Sequence, residues 1–377
     1  MVKAPKQRTP RQPRVMIGLI NVEVLPAKIV CRAVDTSPQR SPVPRVPISQ
    51  ASFWNDKRYA SVRIPLTLGA RTGNTHMKFL FVWASIMRFE NVTVMGIAHV
   101  DAPIRVPSED FERRLSGTFE RLGIPPGMLK NVAGIDARRW WEQGTNPSDA
   151  ATMAAEKAIE KSGIHRNQIG VVINSSVCRD YIEPSTACLV HGNLGLPAHC
   201  LNFDVGNACL AFMNAMDLAG MMIESGQIDY ALIVDGESSR FVQENTLERL
   251  SKPDVDMAQF RAEFATLTLG SGGVAMLLGR GEAEHQRPLY RGSVQLAATE
   301  WNQLCRGQVD FMETDTRTLL AEGVKLALQA HKLAADVFDW TPGCLDHLVL
   351  HQVSSVHTRK LCGMLGLDAD RAYLTFP

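Results

Sequence analysis

Short runs of β-branched and apolar residues alternate along most of this chain with longer stretches of helical periodicity. The runs fall at Val92 to Gly96, Ile169 to Ser175, Cys200 to Asp204, Tyr230 to Asp235, Ala265 to Leu269, Gly273 to Leu278, Leu345 to His351 and Tyr373 to Phe376, most bounded by Gly, Asp or Asn. Runs of that length with that punctuation predict strands. Ser148 to Ser162 opens on a Ser-Asp cap signal, Cys209 to Ser225 is apolar nearly all round, and Thr314 to His331 is amphipathic, so all three predict helices. The alternation as a whole predicts an α/β fold built on a parallel sheet.

The order of elements repeats weakly. Gly170 to Asn174 leads through a helix to Asn202 to Val205 and the Cys209 helix; Leu348 to Gln352 leads through a helix over Ser355 to Leu365 to the run Tyr373 to Phe376. Two such halves facing each other bring strand ends into one cleft, and ligands of parallel α/β sheets bind at the carboxyl ends of strands. A second-half counterpart of Cys209 falls beyond Pro377.

Composition changes this picture at one place. Residues 1 to 86 carry 14 Lys plus Arg against 3 Asp plus Glu and 9 of the 20 prolines, whereas the remainder carries 26 basic and 36 acidic residues. The leading segment is expected to be a disordered extension, with the folded protein starting at Met87. It lacks the pattern of a signal peptide and has few stacking aromatics, so no nucleic-acid partner is expected. No apolar run approaches the ~20 residues of a membrane span. The eight cysteines form no Cys-x-x-Cys pair, which speaks against a zinc site and for a reducing, cytoplasmic setting. The Gly-Ser-Gly-Gly stretch at 270 to 273 lacks the ending of a phosphate loop and reads as a turn. His351 and His357, six residues apart, do not share a helical face as metal ligands would, and no metal or cofactor is expected.

Candidate chemistry centres on Cys209, at the turn where the strand ending at Asp204 passes into an apolar helix. Unpaired N–H groups at a helix start favour a thiolate and can stabilise an oxyanion, so a lowered thiol pKa is expected there. A small buried cysteine of purely structural role fits the pattern equally well. His351 lies at a strand end, where it is either a site residue or a satisfied core histidine.

Gly-Ile-Asp-Ala-Arg-Arg (134 to 139), the Ser-Asp-Ala-Ala helix start, Glu-Pro-Ser-Thr-Ala (183 to 187), Asp-Val-Gly-Asn-Ala-Cys-Leu-Ala-Phe (204 to 212) and His-Gln-Val-Ser (351 to 354), in this order, resemble the ketosynthase III branch of the thiolase superfamily. Glu183, where decarboxylating members carry an aromatic residue, and Ala298 to Gly307 resemble its OleA-type members, which join two fatty acyl-CoA molecules without loss of carbon dioxide. The resemblance implies a thiolase-like αβαβα fold of two halves, 87 to 285 and 286 to 377, and a homodimer. It implies Cys209 as nucleophile, His351 as hydrogen-bond donor to the thioester oxygen, Glu183 as the base reaching into the partner's pocket, and Arg138 and Arg139 near the CoA phosphates. The family carries an Asn in a Gly-Asn motif shortly after the Thr-Phe strand, and this chain ends before it. The second half is therefore expected to be incomplete, with acylation of Cys209 retained and condensation impaired. The other readings are a decarboxylating 3-oxoacyl-ACP synthase III, an inactive acyl-binding subunit and a Cys–His thioesterase.

Overall fold

The computed structural model describes residues 59–66, 80–281, 287–352 and 354–375. It begins with a hairpin of β1 (Tyr59–Leu66) and β2 (Leu80–Arg88), then β3 (Val92–Asp101) and β4 (Ile104–Pro107). Helices α1 (Ser108–Arg114) and α2 (Ser116–Leu122) lead to β5 (Ala137–Trp140), which pairs with β4. Next come α3 (Pro147–Ser162), β6 (Ile169–Asn174), α4 (Thr186–Asn193), β7 (Leu201–Asp204), α5 (Ala211–Glu224) and β8 (Tyr230–Glu237). After α6 (Arg240–Leu250), α7 (Met257–Glu263) and β9 (Gly272–Arg280), the chain forms β10 (Gly292–Gln295), β11 (Cys305–Gly307), β12 (Met312–Thr314), α8 (Thr316–Phe338) and α9 (Ser355–Leu365).

The main sheet has the order β3-β9-β8-β6-β7 and is mixed, whereas the alternation predicts a parallel one. β6 runs parallel to β7 and β8, but β9 is antiparallel to both β8 and β3. The reversal comes from α6 and α7, which leave β8 at its carboxyl end and return there, so that Gly272 enters β9 opposite Glu237. In β6, Ile169, Val171, Val172 and Ile173 are all buried, because helices cover both faces of the sheet.

On one face lies α3, started by a capping box between Asn146 and Asp149. Its side toward the sheet is Ala150, Ala151, Ala154, Ala155 and Ala158, set against glycines. A Cβ at Gly96 would stand 2.8 Å from the Ala158 carbonyl oxygen, and one at Gly236 would overlap the Pro147 carbonyl. Small residues on both sides let the helix backbone approach the strands. Gly236→Ala is therefore expected to cost about 3 kcal/mol of unfolding free energy, checked by urea denaturation.

The opposite face packs Ala215, Met216, Ala219 and Ile223 of α5 on Val171, Ile173, Ala231 and Ile233. β10 lies against the far side of α5, and α8 closes over it through Leu326 and Ala330 on Leu296 and Ala298. Helix, sheet, helix, sheet and helix thus stack in the layered order that the resemblance implies.

Three expectations are corrected. The fold does not start at Met87: β1 pairs with β2, and β2 pairs antiparallel with β10, placing Ile86 opposite Val294. Val62, Ile64 and Leu66 alternate with Arg63 and Pro65, a strand signal that the charge balance of the whole segment conceals. The remaining residues of the basic extension lie outside the described residues. Ala265 to Leu269 is a 3₁₀ turn over Phe264–Thr268 rather than a strand, because Leu267 is drawn into the core beside Phe260 while Thr266 Oγ1 donates to the Met312 carbonyl at 3.1 Å. The runs Leu345 to His351 and Tyr373 to Phe376 meet at a single parallel bridge, Leu348 to Ala372, with Phe376 outside the described residues. Two extended segments without further neighbours sustain little ladder. Among the described residues no helix is long and apolar enough to cross a membrane.

Candidate active site

β7 ends at Asp204, whose carboxylate accepts from the Thr186 and Ala187 N–H groups at 3.0 and 2.8 Å. This fastens the first turn of α4 to the strand that leads to Cys209. Beyond it the backbone turns sharply: Asn207 has φ −155° and ψ 47°, and Ala208 has φ +45°. A left-handed alanine costs about 1–2 kcal/mol, and such strain persists only where the surroundings hold it. Cys209 follows in a single 3₁₀ turn, and α5 takes over at Ala211.

Cys209 is reachable by solvent yet has protein close around its thiol. Its thiol is pushed up, against the expected lowering. Burial is the main cause, the nearby Cys305 thiol is second, and the carboxylates of Glu237 and Asp235 add to it; the N–H of Cys209 itself pulls the other way. In the free protein Cys209 is therefore a protonated thiol at neutral pH.

The two carboxylates were not singled out in the sequence. They occupy alternate positions at the carboxyl end of β8, the place the strand-end rule indicates, so Asp-x-Glu in the segment Asp235 to Glu237 was the available signal. Glu237 accepts from the Val177 and Cys178 N–H groups at 2.6 and 3.2 Å, and Asp235 accepts from Ser175 Oγ at 2.9 Å. Burial and the charge of Glu237 push Asp235 up to about 7. Cys178 is pushed far up by burial and by Glu237, which leaves it inert.

A raised carboxyl pKa means that the folded state holds a proton the unfolded chain has released. The stabilising effect is complete below the unfolded value of about 4 and disappears as the pH rises through about 7. Asp235→Asn is expected to flatten this fall, raising the melting temperature at pH 8 more than at pH 5. It should also move the alkylation of Cys209 to lower pH, because one anion beside the thiol is gone. Thermal melts and site-resolved alkylation across pH check both.

Glu183 lies on the loop between β6 and α4. Glu237 holds the start of this loop, Asp180 accepts from the N–H and hydroxyl of Ser148 at 2.9 and 2.5 Å, and Asp204 holds its end. Between these anchors Tyr181, Ile182 and Glu183 project outward, with Ile182 92% exposed. The loop is pinned at both ends and its tip is exposed.

His351 follows the Leu348 bridge, is solvent-reachable, and has its pKa lowered by burial. It is a neutral imidazole at pH 7, able to donate from one nitrogen and accept at the other. Among the described residues no hydrogen bond or ion pair joins Cys209, Glu183 and His351 to one another.

Arg138 departs from expectation. It is 4% exposed, lies over the Phe111 ring at 4.2 Å and donates to Ser108 Oγ at 3.0 Å, so it points into the fold and cannot meet a phosphate at the surface. Burial pulls it down to about 10. Arg139 is exposed and donates to the Ala102 carbonyl at 3.1 Å.

Residues 203–291, which contain the Cys209 turn, match the 3-oxoacyl-[acyl-carrier-protein] synthase III family. An acyl-CoA:acyl-CoA alkyltransferase of Xanthomonas campestris pv. campestris is 51% identical over 290 residues, 77% of this chain and 86% of that protein. The chain belongs to the OleA family. A second relative, the acyl-CoA:acyl-CoA alkyltransferase of Shewanella oneidensis, is 33% identical over 306 residues, again 77% of this chain and 86% of that one. Cerulenin-bound Xanthomonas OleA superposes with a TM-score of 0.75 at 51% identity, covering 77% of this chain and 84% of that one. A cysteine-to-serine variant of the same OleA, with bound lauric acid and lauroyl-CoA, gives 0.74 at 50% identity, covering 76% and 85%. The layered fold described above is accordingly the thiolase-like fold of the OleA family, and the chain is an acyltransferase of that superfamily.

Proposed function

We propose that this chain condenses two fatty acyl-CoA thioesters without decarboxylation, working as a cytoplasmic homodimer. The observation that carries the reading is the strained turn at Ala208, which presents Cys209 at a strand end beside the anchored Glu183 loop. Support comes from spacing. Solved variants of Xanthomonas OleA are changed at a glutamate, at a cysteine 26 residues later and at a histidine 142 residues beyond that, the separations of Glu183, Cys209 and His351 here.

In the first half-reaction the Cys209 sulfur attacks the thioester carbonyl; a carbon–sulfur bond forms, the bond to CoA breaks, and the thiol proton leaves with CoA. Glu183 then takes the α-proton of a second acyl-CoA while neutral His351 donates to its thioester oxygen. The enolate attacks the acyl-cysteine, giving a 2-alkyl-3-oxoacyl product and freeing the Cys209 sulfur. Arg139, exposed near the β4–β5 edge, is assigned to the CoA phosphates in place of Arg138. β7 is an edge of the main sheet with Leu201 exposed, and Ile182 is exposed on the loop before α4; these are the apolar positions assigned to contact with a second copy.

Incubation with lauroyl-CoA tests this reading. A lauroyl mass increment on Cys209 and a coupled β-keto product are expected. Free fatty acid alone indicates a thioesterase, and no adduct removes every enzyme reading.

A further inference from the structure

A line of polar side chains, buried at Asp217 and Tyr290 and half-buried beyond them, connects the second layer of sheet to the turn before Cys209. Tyr290 OH and Ser293 Oγ donate to the Asp217 carboxylate at 2.5 and 2.7 Å, and Gln295 Nε2 donates to the same group. Gln295 Oε1 accepts from Asn214 Nδ2 at 3.1 Å, and Asn214 Oδ1 accepts from Asn207 Nδ2 at 2.6 Å. Asp217 is 1% exposed, and among the described residues no cation pairs with it.

The chain has a direction. An ionised carboxylate only accepts, so Gln295 must turn its amide nitrogen inward and its carbonyl toward Asn214. Asn214 must then present its own nitrogen to Gln295 and its carbonyl to Asn207. Three amides, each reversible on its own, are locked in one sense by the carboxylate at the inner end. Asn207 is the residue before the left-handed Ala208 and two before Cys209.

We propose that Asp217, Gln295 and Asn214 form a positioning relay that holds the Asn207–Ala208 turn in its strained conformation and thereby sets the N–H and sulfur of Cys209. None of the three touches substrate. The inference rests on Cys209 being the acylated residue, and its consequence is that the first-half nucleophile depends on β10 being docked on α5. Burial raises the Asp217 pKa while its three donors lower it, so the anionic form depends on that docking.

The test uses the full chain and a polarity change. In Gln295→Glu, the introduced carboxyl preserves the chain when protonated, donating to Asp217 and accepting from Asn214; when ionised, it faces Asp217 as a like charge and the chain breaks. Two carboxylates in contact cannot both ionise near neutral pH, so the break comes at raised pH. The acylation rate with lauroyl-CoA, relative to wild type, is expected to stay within about twofold at pH 6 and to fall about tenfold or more by pH 9. Site-resolved alkylation of Cys209 by iodoacetamide should follow it, with KM for lauroyl-CoA unchanged. Asn214→Asp, at a half-buried position, should slow acylation by a similar factor at all pH, because an acceptor then faces Gln295 Oε1. A flat ratio in Gln295→Glu, or wild-type acylation in Asn214→Asp, would overturn the relay. Failure of wild type itself to acylate removes the function reading instead, and the alkylation ratio still decides the relay.

Discussion

Cys209→Ala is expected to give no mass increment with lauroyl-CoA and to lower product formation at least about ten-thousandfold, the scale on which loss of a covalent nucleophile is felt. The effect is large because the neighbouring Cys178 cannot substitute. Cys178 is held protonated by burial and by Glu237, whose carboxylate accepts from the Cys178 N–H. Cys305 is exposed and close enough to raise the Cys209 thiol, so it is the residue to watch. An adduct that persisted on Cys305 in the variant would overturn the assignment of the nucleophile. Stability should hardly change, since an alanine fits the space and removes no buried hydrogen bond. Cys209→Ser should resemble the alanine variant: an enclosed hydroxyl with carboxylates as neighbours has no means of becoming an alkoxide.

The elements around Cys209 were legible because their burial is local. β6 is apolar from Ile169 to Ile173 since both its faces are covered, and α3 announces itself through a capping box and an unbroken alanine face. Elements that depend on distant partners were not legible. β2 pairs with β10, more than 200 residues later, and β1 joins that sheet only through β2; the alternation of β1 was submerged in the charge of the segment around it. The thiol pKa of Cys209 was misjudged for the same reason: the helix start was visible in sequence, while Glu237, Asp235 and Cys305 arrive from two other parts of the chain. Arg138 and Arg139 are adjacent and chemically alike, and only strand register, opposing Arg138 to Val106 and Arg139 to Arg105, sends one inward and the other out. The amide line from Asp217 to Asn207 joins residues up to 88 apart, and no spacing rule relates them.

Glu183→Gln is expected to leave acylation of Cys209 within about twofold of wild type and to lower coupling by about a hundredfold to ten-thousandfold, the contribution of a positioned general base. Glutamine keeps the size of the side chain and its place at the loop tip. The three carboxylate anchors of the loop are untouched, so the change removes proton-accepting capacity and little else. Glu183→Asp should recover part of the rate if the shorter side chain still reaches the α-carbon. Because Tyr181, Ile182 and Glu183 project away from their own chain, the base is expected to act across the dimer, and subunit mixing reads this directly. Cys209→Ala and Glu183→Gln are each inactive alone. In the hybrid, the chain that keeps Cys209 is served by the partner that keeps Glu183, giving one working site per hybrid dimer. Equal mixing makes about half of the dimers hybrid, so about a quarter of the wild-type coupling rate should return. Recovery of nothing, with exchange of subunits shown by mass, would place Glu183 in the pocket of its own chain and refute the proposed geometry. Acylation that fell together with coupling in Glu183→Gln would refute its role as the base for the second step.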